Sequence, residues 1–491
     1  MKETTRVLAF DYGASSGRAI LCSYQEGRLS LQEVHRFDNE PVEKDGTLFW
    51  NLEDLYQNLL TGLEKARDAG GFDSVGVDTW GVDFGLLGAD GALLEAPVHY
   101  RDGRTNGLSD EVCGRIGEEA LYERTGSQRM DINTLYQLYS LQKSRPEFLG
   151  KAACLLPIPN LFEYLLTGEK HAEWTEASTT QMLNLETKEW NFPLLEELGL
   201  PVSLLPKLVR PGTVTGRLKD ELCARLGVPA VPVVSVATHD TASAVLAAPA
   251  EEEEFLFISC GTWSLFGTEL AGPLINERAR LYNLSNELGY GGKVIFLKNI
   301  IGLWLIQETR RQFRREGKEY SYADMERLAR SCEPFACFID PDAPEFVPPG
   351  DIPGRIRAFC ERTGQRVPRS DGEIVRCIYE SLALEYRYVF EQLKACAEKE
   401  YRRIYLLGGG AKDPFLCQMT ADATGVPVTA GPVEATALGN AAAQLEALGC
   451  FDGPGEARAA VRRSFAPAEY PPEDAKAWDE PYERFLKILN P

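Results

Sequence analysis

The amino-acid sequence predicts an α/β protein built from two domains of related topology. The chain has 491 residues, more than a single hydrophobic core normally supports, so two large domains are expected. Strand-like and helix-like patterns follow one another in a defined order at the start of the chain. The pattern that opens the chain then returns near its middle, which indicates an internal duplication; chance recurrence of a strand-turn-strand unit is the alternative.

The first half begins with three strands, a helix and a further strand. Apolar runs predict strands over residues 6–11, 18–24 and 29–37, with Glu26-Gly27 as a hairpin turn between the last two. A helix is expected to begin after Asn51, a good N-cap, because leucines then recur at helical spacing. The next strand is expected over residues 74–79. An antiparallel meander extended by a parallel strand behind a crossover helix is the order of the ribonuclease-H-like fold.

The second half repeats this opening. Residues 255–258 form an apolar run, residues 259–264 are small and rich in hydroxyls, and residues 265–270 resume a strand pattern. We therefore expect two ribonuclease-H-like domains that face each other across a cleft, residues 1–248 and residues 249–491. This is also the architecture of the actin-like ATPase superfamily.

Composition and charge exclude several classes of function. The net charge of −21 argues against a nucleic-acid partner, which requires basic patches. No apolar run approaches the roughly 20 residues of a membrane helix, and the N-terminus lacks the apolar region of a signal peptide, so we expect a cytoplasmic protein. The 12 cysteines and 4 histidines are scattered without metal-ligand spacing, so no zinc site is expected. Whether Cys360 and Cys377 pair stays open.

The octet Asp11–Arg18 follows the first apolar run and predicts a phosphate-binding turn. Backbone N–H groups and small hydroxyls in such a turn bind phosphate oxygens, and the acid can hold a magnesium ion. Gly13 and Gly17 allow backbone angles and close approaches that a side chain would prevent. An ordinary hairpin turn is the alternative interpretation.

A second candidate loop, residues 237–244, follows the apolar run of residues 231–236 and contains Asp240. Ligands of open α/β sheets bind at the carboxyl ends of strands. Asp240 could there accept a proton from a substrate hydroxyl, as acids do in phosphoryl transfer. Helix capping by Asp240 is the alternative.

Two further segments suggest a nucleotide and a sugar. Residues 408–410 are three glycines between a strand and a helix, which let a flat ring lie on the backbone near a helix N-terminus. Residues 78–83 and 100–104 combine aromatic rings, arginines and carboxylates, as sugar sites require. Taken singly, a core position for Trp80 and a surface ion pair for Arg104 remain the simpler interpretations.

With these loops in this order, the chain resembles the FGGY family of carbohydrate kinases. The resemblance extends over nearly the whole chain, from Asp11 to about Leu448. Its segments are residues 11–18, 78–83, 100–105, 156–161, 175–181, 238–243, 260–264, 299–302, 408–410 and 431–435. Within the family, residues 78–83 and 238–243 are most similar to members that phosphorylate L-rhamnulose on its 1-hydroxyl.

The resemblance implies an ATP-dependent kinase of a ketose, with Asp240 as catalytic base and Mg2+ held by Asp11. The implied ATP-binding residues are Ala14, Ser15, Ser16, Gly17, Arg18, Thr262, Gln307 and Gly409. The implied sugar-binding residues are Gly81, His239, Asp240, Thr241 and Asn299, with Trp80 and Asp83. No membrane or obligate protein partner is implied. Three alternatives stay open: a kinase of another ketose such as L-fuculose or L-xylulose, an actin-like ATPase that phosphorylates nothing, and an inactive sugar sensor.

Overall fold

The computed structural model describes residues 4–489 and divides them into two compact units. The first unit contains residues 4–254, Glu269–Leu297 and Glu434–Ala466. The second contains Phe255–Thr268, Lys298–Val433 and residues 467–489. Each unit is therefore assembled from separate stretches of the chain, and the boundary at residues 248 and 249 remains a prediction.

Residues 4–254 contribute fourteen strands and ten α-helices to the first unit. The strands are β1 Thr5–Tyr12, β2 Ser16–Gln25, β3 Arg28–Asp38, β4 Val42–Lys44, β5 Thr47–Phe49, β6 Ser74–Thr79, β7 Phe84–Leu87, β8 Cys154–Pro157, β9 Ala172–Glu173, β10 Leu183–Asn184, β11 Glu189–Trp190, β12 Leu208–Val209, β13 Thr213–Arg217 and β14 Pro232–Ser235. The helices are α1 Leu52–Asp68, α2 Leu108–Ile116, α3 Glu118–Thr125, α4 Thr134–Ser144, α5 Pro146–Leu149, α6 Ile158–Thr167, α7 Trp174–Thr179, α8 Phe192–Glu197, α9 Asp220–Leu226 and α10 Asp240–Leu246.

The main sheet of the first unit has the order β13-β14-β6-β1-β2-β3. Strands β1, β2 and β3 form the predicted antiparallel meander, and β6 pairs with β1 in parallel after the helix α1. The Asn51 side chain accepts a hydrogen bond from the Asp54 N–H at 3.4 Å, so it caps α1 as expected. Strand β14 pairs with β6 in parallel, which brings the loop after β14 to the carboxyl end of the sheet.

Residues 255–489 add seven strands and nine α-helices. The strands are β15 Leu256–Cys260, β16 Trp263–Leu270, β17 Ser285–Leu288, β18 Val294–Ile301, β19 Ile404–Leu407, β20 Val428–Ala430 and β21 Ala468–Tyr470. The helices are α11 Glu277–Leu281, α12 Trp304–Arg315, α13 Tyr322–Arg330, α14 Ile352–Arg362, α15 Asp371–Ala397, α16 Pro414–Thr424, α17 Ala435–Ala447, α18 Pro454–Ser464 and α19 Asp479–Leu489.

The sheet of the second unit repeats the topology of the first. Six neighbouring strands of this seven-stranded sheet have the order β18-β16-β15-β19-β20-β21, with β15 antiparallel to β16 and parallel to β19. Strand β20 is parallel to β19, and β21 is antiparallel to β20. Strand for strand, this order matches β3-β2-β1-β6-β14-β13. The predicted duplication and the ribonuclease-H-like class of both domains are confirmed.

Helix α17 packs directly on the main sheet of the first unit and on α10. The Gln444 side chain donates to the Leu8 carbonyl at 3.0 Å and accepts from the Ser74 hydroxyl at 2.7 Å. At Gly439 the two helix backbones approach so closely that a Cβ atom would lie 1.7 Å from the Ser243 carbonyl oxygen. Because α10 begins at Asp240, this contact also fixes the position of that side chain.

No disulfide joins the twelve cysteines, all of which lie within residues 4–489. Cys360 on α14 and Cys377 on α15 are buried thiols, and together with Cys337 their sulfur atoms lie within 4.8 Å of one another. Sequence reasoning singled out Cys360 and Cys377 as a possible pair but missed Cys337. Within the described range, no helix is both long and apolar enough to cross a membrane.

We predict that Gly439→Ala lowers the stability of the first unit. The added methyl group has to push α17 away from α10, and such overpacking costs about 1–3 kcal/mol and occasionally more. Chemical denaturation followed by circular dichroism measures the change.

Gly114→Ala is the matched control, because Gly114 lies inside the helix α2 with nothing within 4 Å of an added Cβ. Alanine is favoured over glycine there by about 0.5–1 kcal/mol. Equal shifts of the unfolding midpoint in the two variants would contradict the close contact at Gly439.

Candidate active site

Three carboxylates converge at the carboxyl end of the first unit's main sheet. Asp11 near the end of β1 and Asp78 on β6 are register partners in the parallel pair. Asp240 follows β14 and opens α10. Burial, and next the Asp11 carboxylate, raise the pKa of Asp240 to about 7. The same two causes raise the pKa of Asp78 well above its usual range.

Two side chains balance part of this negative charge. Arg18 donates to Asp11 Oδ2 from Nε at 3.0 Å and from Nη2 at 2.6 Å, and its Nη1 lies 3.1 Å from Glu434 Oε2. The Asn440 amide donates to Asp78 Oδ2 at 2.6 Å, which leaves Asp78 Oδ1 buried without a partner. Glu434 and Asn440 belong to the segment that carries α17, and sequence reasoning gave neither a role.

The loop between β1 and β2 is a tight turn with its tip half-buried at Ala14, Ser15 and Ser16. The Gly13 N–H donates to the Ser16 carbonyl at 3.0 Å. Asn39, which sequence reasoning missed, donates its N–H to the Ser15 carbonyl at 3.1 Å.

Packing accounts for the glycine that follows this loop. At Gly17 an added Cβ would lie 2.1 Å from the Phe37 ring. Close packing against Phe37 therefore requires the glycine there, whatever the loop binds.

His239 and Thr241 flank the Asp240 carboxylate. The Thr241 hydroxyl donates to Asp240 Oδ1 at 3.2 Å, and His239 Nε2 lies 3.5 Å from the same oxygen. His239 Nδ1 lies 3.4 Å from Glu287 Oε2. Burial lowers the pKa of His239, so the imidazole is neutral at pH 7. Sequence reasoning missed Glu287, which has no motif around it.

The short helix α7 fixes the loop that precedes Asp240. Glu173 caps α7 and also accepts from the Thr238 N–H at 3.0 Å and from the Thr238 hydroxyl at 2.8 Å. The Thr175 hydroxyl accepts from the His239 N–H at 3.2 Å. Burial raises the pKa of Glu173 to about 7. The sequence analysis singled out residues 175–181 by resemblance alone. It gave no role to Glu173, whose neighbours in the sequence do not indicate that it holds the loop before Asp240.

The same helix holds the backbone at Gly81. The Thr179 hydroxyl accepts from the Val82 N–H at 3.0 Å, and a Cβ on Gly81 would lie 3.1 Å from Thr179. Val82 has a φ of 70°, a left-handed conformation that a β-branched residue rarely adopts. Strain of this kind persists where surrounding contacts enforce it, and it is concentrated at functional sites.

Trp80 and Asp83 lie in the interior of the first unit. Asp83 accepts from the indoles of Trp50 at 2.6 Å and Trp80 at 3.1 Å, from the Tyr100 N–H at 3.1 Å and from the Gln137 amide at 2.9 Å. The Trp50 and Trp80 rings lie 3.9 Å apart. These contacts give both predicted residues a structural role in ordering the segment around Gly81.

In the second unit, three of the predicted nucleotide residues surround the turn between β15 and β16. The Thr262 hydroxyl donates to the Gln307 amide oxygen at 3.5 Å. A Cβ on Gly409 would lie 3.8 Å from the Cys260 carbonyl, and Gly408 in the same loop has a φ of 80°. Asn299 lies on β18, also in the second unit, whereas the other predicted sugar residues belong to the first.

Models of one protein family match nearly all of the chain. Residues 6–247 match the N-terminal domain and residues 256–448 the C-terminal domain of the FGGY family of carbohydrate kinases. The rhamnulokinase of Bacteroides thetaiotaomicron is 41% identical over 98% of this chain and 99% of its own. That of Bacillus subtilis is 39% identical over 95% of each chain.

Solved structures match the fold at lower identity. A ligand-bound xylulose kinase from Lactobacillus acidophilus has a TM-score of 0.80 at 17% identity and covers 99% of this chain and 98% of that chain. A glycerol kinase from Plasmodium falciparum with ADP has a TM-score of 0.79 at 16% identity, with the same coverage. The resemblance and the carbohydrate-kinase class predicted from the sequence are thus confirmed: this chain belongs to the FGGY family of carbohydrate kinases.

Proposed function

We propose that the chain transfers the γ-phosphate of ATP to the 1-hydroxyl of L-rhamnulose, giving L-rhamnulose 1-phosphate and ADP. The observation that carries the chemistry is the Asp240 carboxylate, which lies at the end of a strand with a pKa of about 7. A base is most effective when its pKa is near the working pH. The choice of sugar is supported by relatives named rhamnulokinase that align over the whole chain.

In the proposed reaction, Asp240 takes the proton of the 1-hydroxyl as that oxygen attacks the γ-phosphorus. One oxygen–phosphorus bond forms, the bond between the γ-phosphorus and the bridging oxygen breaks, and ADP leaves with the electron pair. Neutral His239 and Thr241 hold the Asp240 carboxylate in place through the contacts described above. Phosphoryl transfer depends mainly on such positioning and on charge neutralisation.

The remaining residue roles are part of the proposal. Gly81, His239, Thr241 and Asn299 contact the sugar, with Trp80 and Asp83 behind them. ATP is bound by Ala14, Ser15, Ser16, Gly17 and Arg18 and by Thr262, Gln307 and Gly409. We place the sugar and phosphate side, with the catalytic base, in residues 1–248 and the nucleotide side in residues 249–491. A role in the breakdown of L-rhamnose, in the cytoplasm, is part of the same proposal.

The carboxylates fit a magnesium ion. Mg2+ prefers oxygen ligands, and the unpartnered Asp78 Oδ1 lies beside Asp11 in the sheet register. Asp11 would hold the ion, whose chemistry is to neutralise charge on the phosphates of ATP. Both hydrogen bonds from Arg18 go to Asp11 Oδ2, so the other oxygen of that carboxylate would be the one that holds the ion.

The substrate is tested by ADP release from the purified protein with a panel of ketoses. We expect kcat/KM for L-rhamnulose to exceed that for L-fuculose and L-xylulose by at least about tenfold, because a site that hydrogen-bonds one hydroxyl rejects its epimer. A higher value for another ketose would overturn the choice of sugar. ATP hydrolysis that no ketose stimulates would overturn the kinase itself.

We predict that Asp240→Asn lowers kcat by about 100- to 10,000-fold, the usual contribution of a general base. The amide cannot accept the proton, but it keeps the shape of the side chain. Calorimetric titrations with the ketose and with ATP are expected to give affinities close to those of the unchanged protein.

Asp351→Asn is its control, because Asp351 caps α14 through the Gly354 N–H and asparagine caps equally well. Its turnover is expected to be unchanged. Near-normal turnover in Asp240→Asn would remove Asp240 from the mechanism.

The pH profile provides an independent check. The base works only when it is deprotonated, so kcat/KM is expected to fall tenfold per pH unit as the pH drops below about 7, the pKa of Asp240. Assays at saturating ATP and Mg2+ over a range of pH values measure this fall in kcat/KM on the acidic side. A profile that stays flat down to pH 5, or an identical limb in Asp240→Asn, would contradict the assignment.

A further inference from the structure

Glu176, on the helix α7, is a buried acid that the mechanism above does not use. Its side chain is 0% exposed, and neither carboxyl oxygen has a hydrogen-bond partner. Buried polar groups in native proteins nearly always have a hydrogen-bond partner, because a buried group without one loses its hydrogen bonds to water and gains none in return. A carboxyl with two unpartnered oxygens therefore indicates a missing partner.

The other polar side chains of α7 are already engaged. The hydroxyls of Thr175 and Thr179 accept from the His239 and Val82 N–H groups, as described above. The Ser178 hydroxyl accepts from the Leu288 N–H at 2.8 Å. The helix thus ties together the segments around Gly81 and Asp240, and Glu176 is the polar side chain left over between them.

The surroundings of Glu176 favour its protonated form. Burial raises its pKa well above the usual range, and the carboxylates of Asp240, Glu173, Asp83 and Glu287 raise it further. A neutral carboxyl offers one O–H donor and a carbonyl acceptor. A sugar hydroxyl has the complementary donor and acceptor, whereas the four carboxylates would repel a phosphate.

We propose that Glu176 hydrogen-bonds one secondary hydroxyl of the ketose and determines which sugar is accepted. The inference rests on the proposed function and extends it to a residue outside the motif residues. Glu176 is adjacent in the helix to Thr175, which holds His239, and three residues before Thr179, which packs on Gly81. Residues three apart on a helix share a face, so Glu176 lies on the face of Thr179, and Asp240 is the charge that acts on its carboxyl most strongly.

The test removes the carboxyl group from the protein and, separately, single hydroxyls from the sugar. Wild-type protein and Glu176→Leu are assayed with the accepted ketose and with analogues that each lack one secondary hydroxyl. With the wild type, we expect kcat/KM for one analogue to be at least about tenfold lower than for the accepted ketose, mainly because KM rises. With Glu176→Leu, the same analogue is expected to differ from the accepted ketose by no more than about twofold. The losses for the other analogues are expected to be equal in the two proteins. If Glu176→Leu lowers kcat/KM for every analogue by one common factor, the proposal is overturned in favour of a structural role or a buried water.

A second measurement does not depend on turnover or on the folding of the leucine variant. Infrared difference spectra are recorded on adding the ketose without ATP, and we expect the stretch of a protonated carboxyl to shift. Glu176→Gln, which keeps the shape and stays neutral, is expected to lose one of the shifted carboxyl bands. A difference spectrum identical to that of the wild type, or a wild-type spectrum without a shifted carboxyl band, overturns the proposal.

Glu380→Gln is the matched control. Glu380 is another buried glutamate, in the second unit, paired with Arg376 at 2.7 Å and with a pKa raised by burial to about 7. It is expected to leave the sugar-dependent band and the hydroxyl preferences unchanged. A wild-type protein that phosphorylates no ketose would defeat the proposed function, whereas an active wild type with hydroxyl preferences independent of Glu176 defeats only this inference.

Discussion

The gathering of three carboxyl groups at the carboxyl end of the main sheet is the constraint on which the first unit depends; Asp11 and Asp78 are buried there, and the Asp240 side chain is 31% exposed. Asp11 and Asp78 are brought together by the parallel register of β1 and β6, and Asp240 joins them from the loop after β14. Like charges this close destabilise a fold unless they are neutralised or hydrogen-bonded. Arg18 and Asn440 provide that compensation, each to one carboxylate.

This constraint explains why α17 belongs to the first unit although it lies far along the chain. Its Asn440 side chain satisfies Asp78, and Gln444 reaches the Leu8 carbonyl on β1. Such contacts require the helix to lie almost on the sheet, and Gly439 allows this by leaving no side chain against Ser243. The same residues that allow the acids to be buried also fix the start of α10, and hence Asp240.

The local sequence predicted the order of the strands, the cap at Asn51 and the duplication, because hydrophobic periodicity and turn residues act over a few positions. It could not reveal the compensating residues, since Asn440 lies 362 positions from Asp78. Nor could it reveal Glu173, whose role depends on contacts with a loop 65 positions away. The close approach expected at Gly17 is found against Phe37, 20 positions away, and the role of Gly17 at the phosphates stays a prediction.

Asp11 and Arg18 show how the charge of the acid cluster is compensated. Both hydrogen bonds from Arg18 go to Asp11 Oδ2, and a carboxylate can bind a second cation through its other oxygen. The ion pair and the proposed ligation of Mg2+ by Asp11 are therefore compatible. Glu434 lies 3.1 Å from the other side of the Arg18 guanidinium, so the ion pairs hold this arginine beside the loop that is proposed to bind the phosphates.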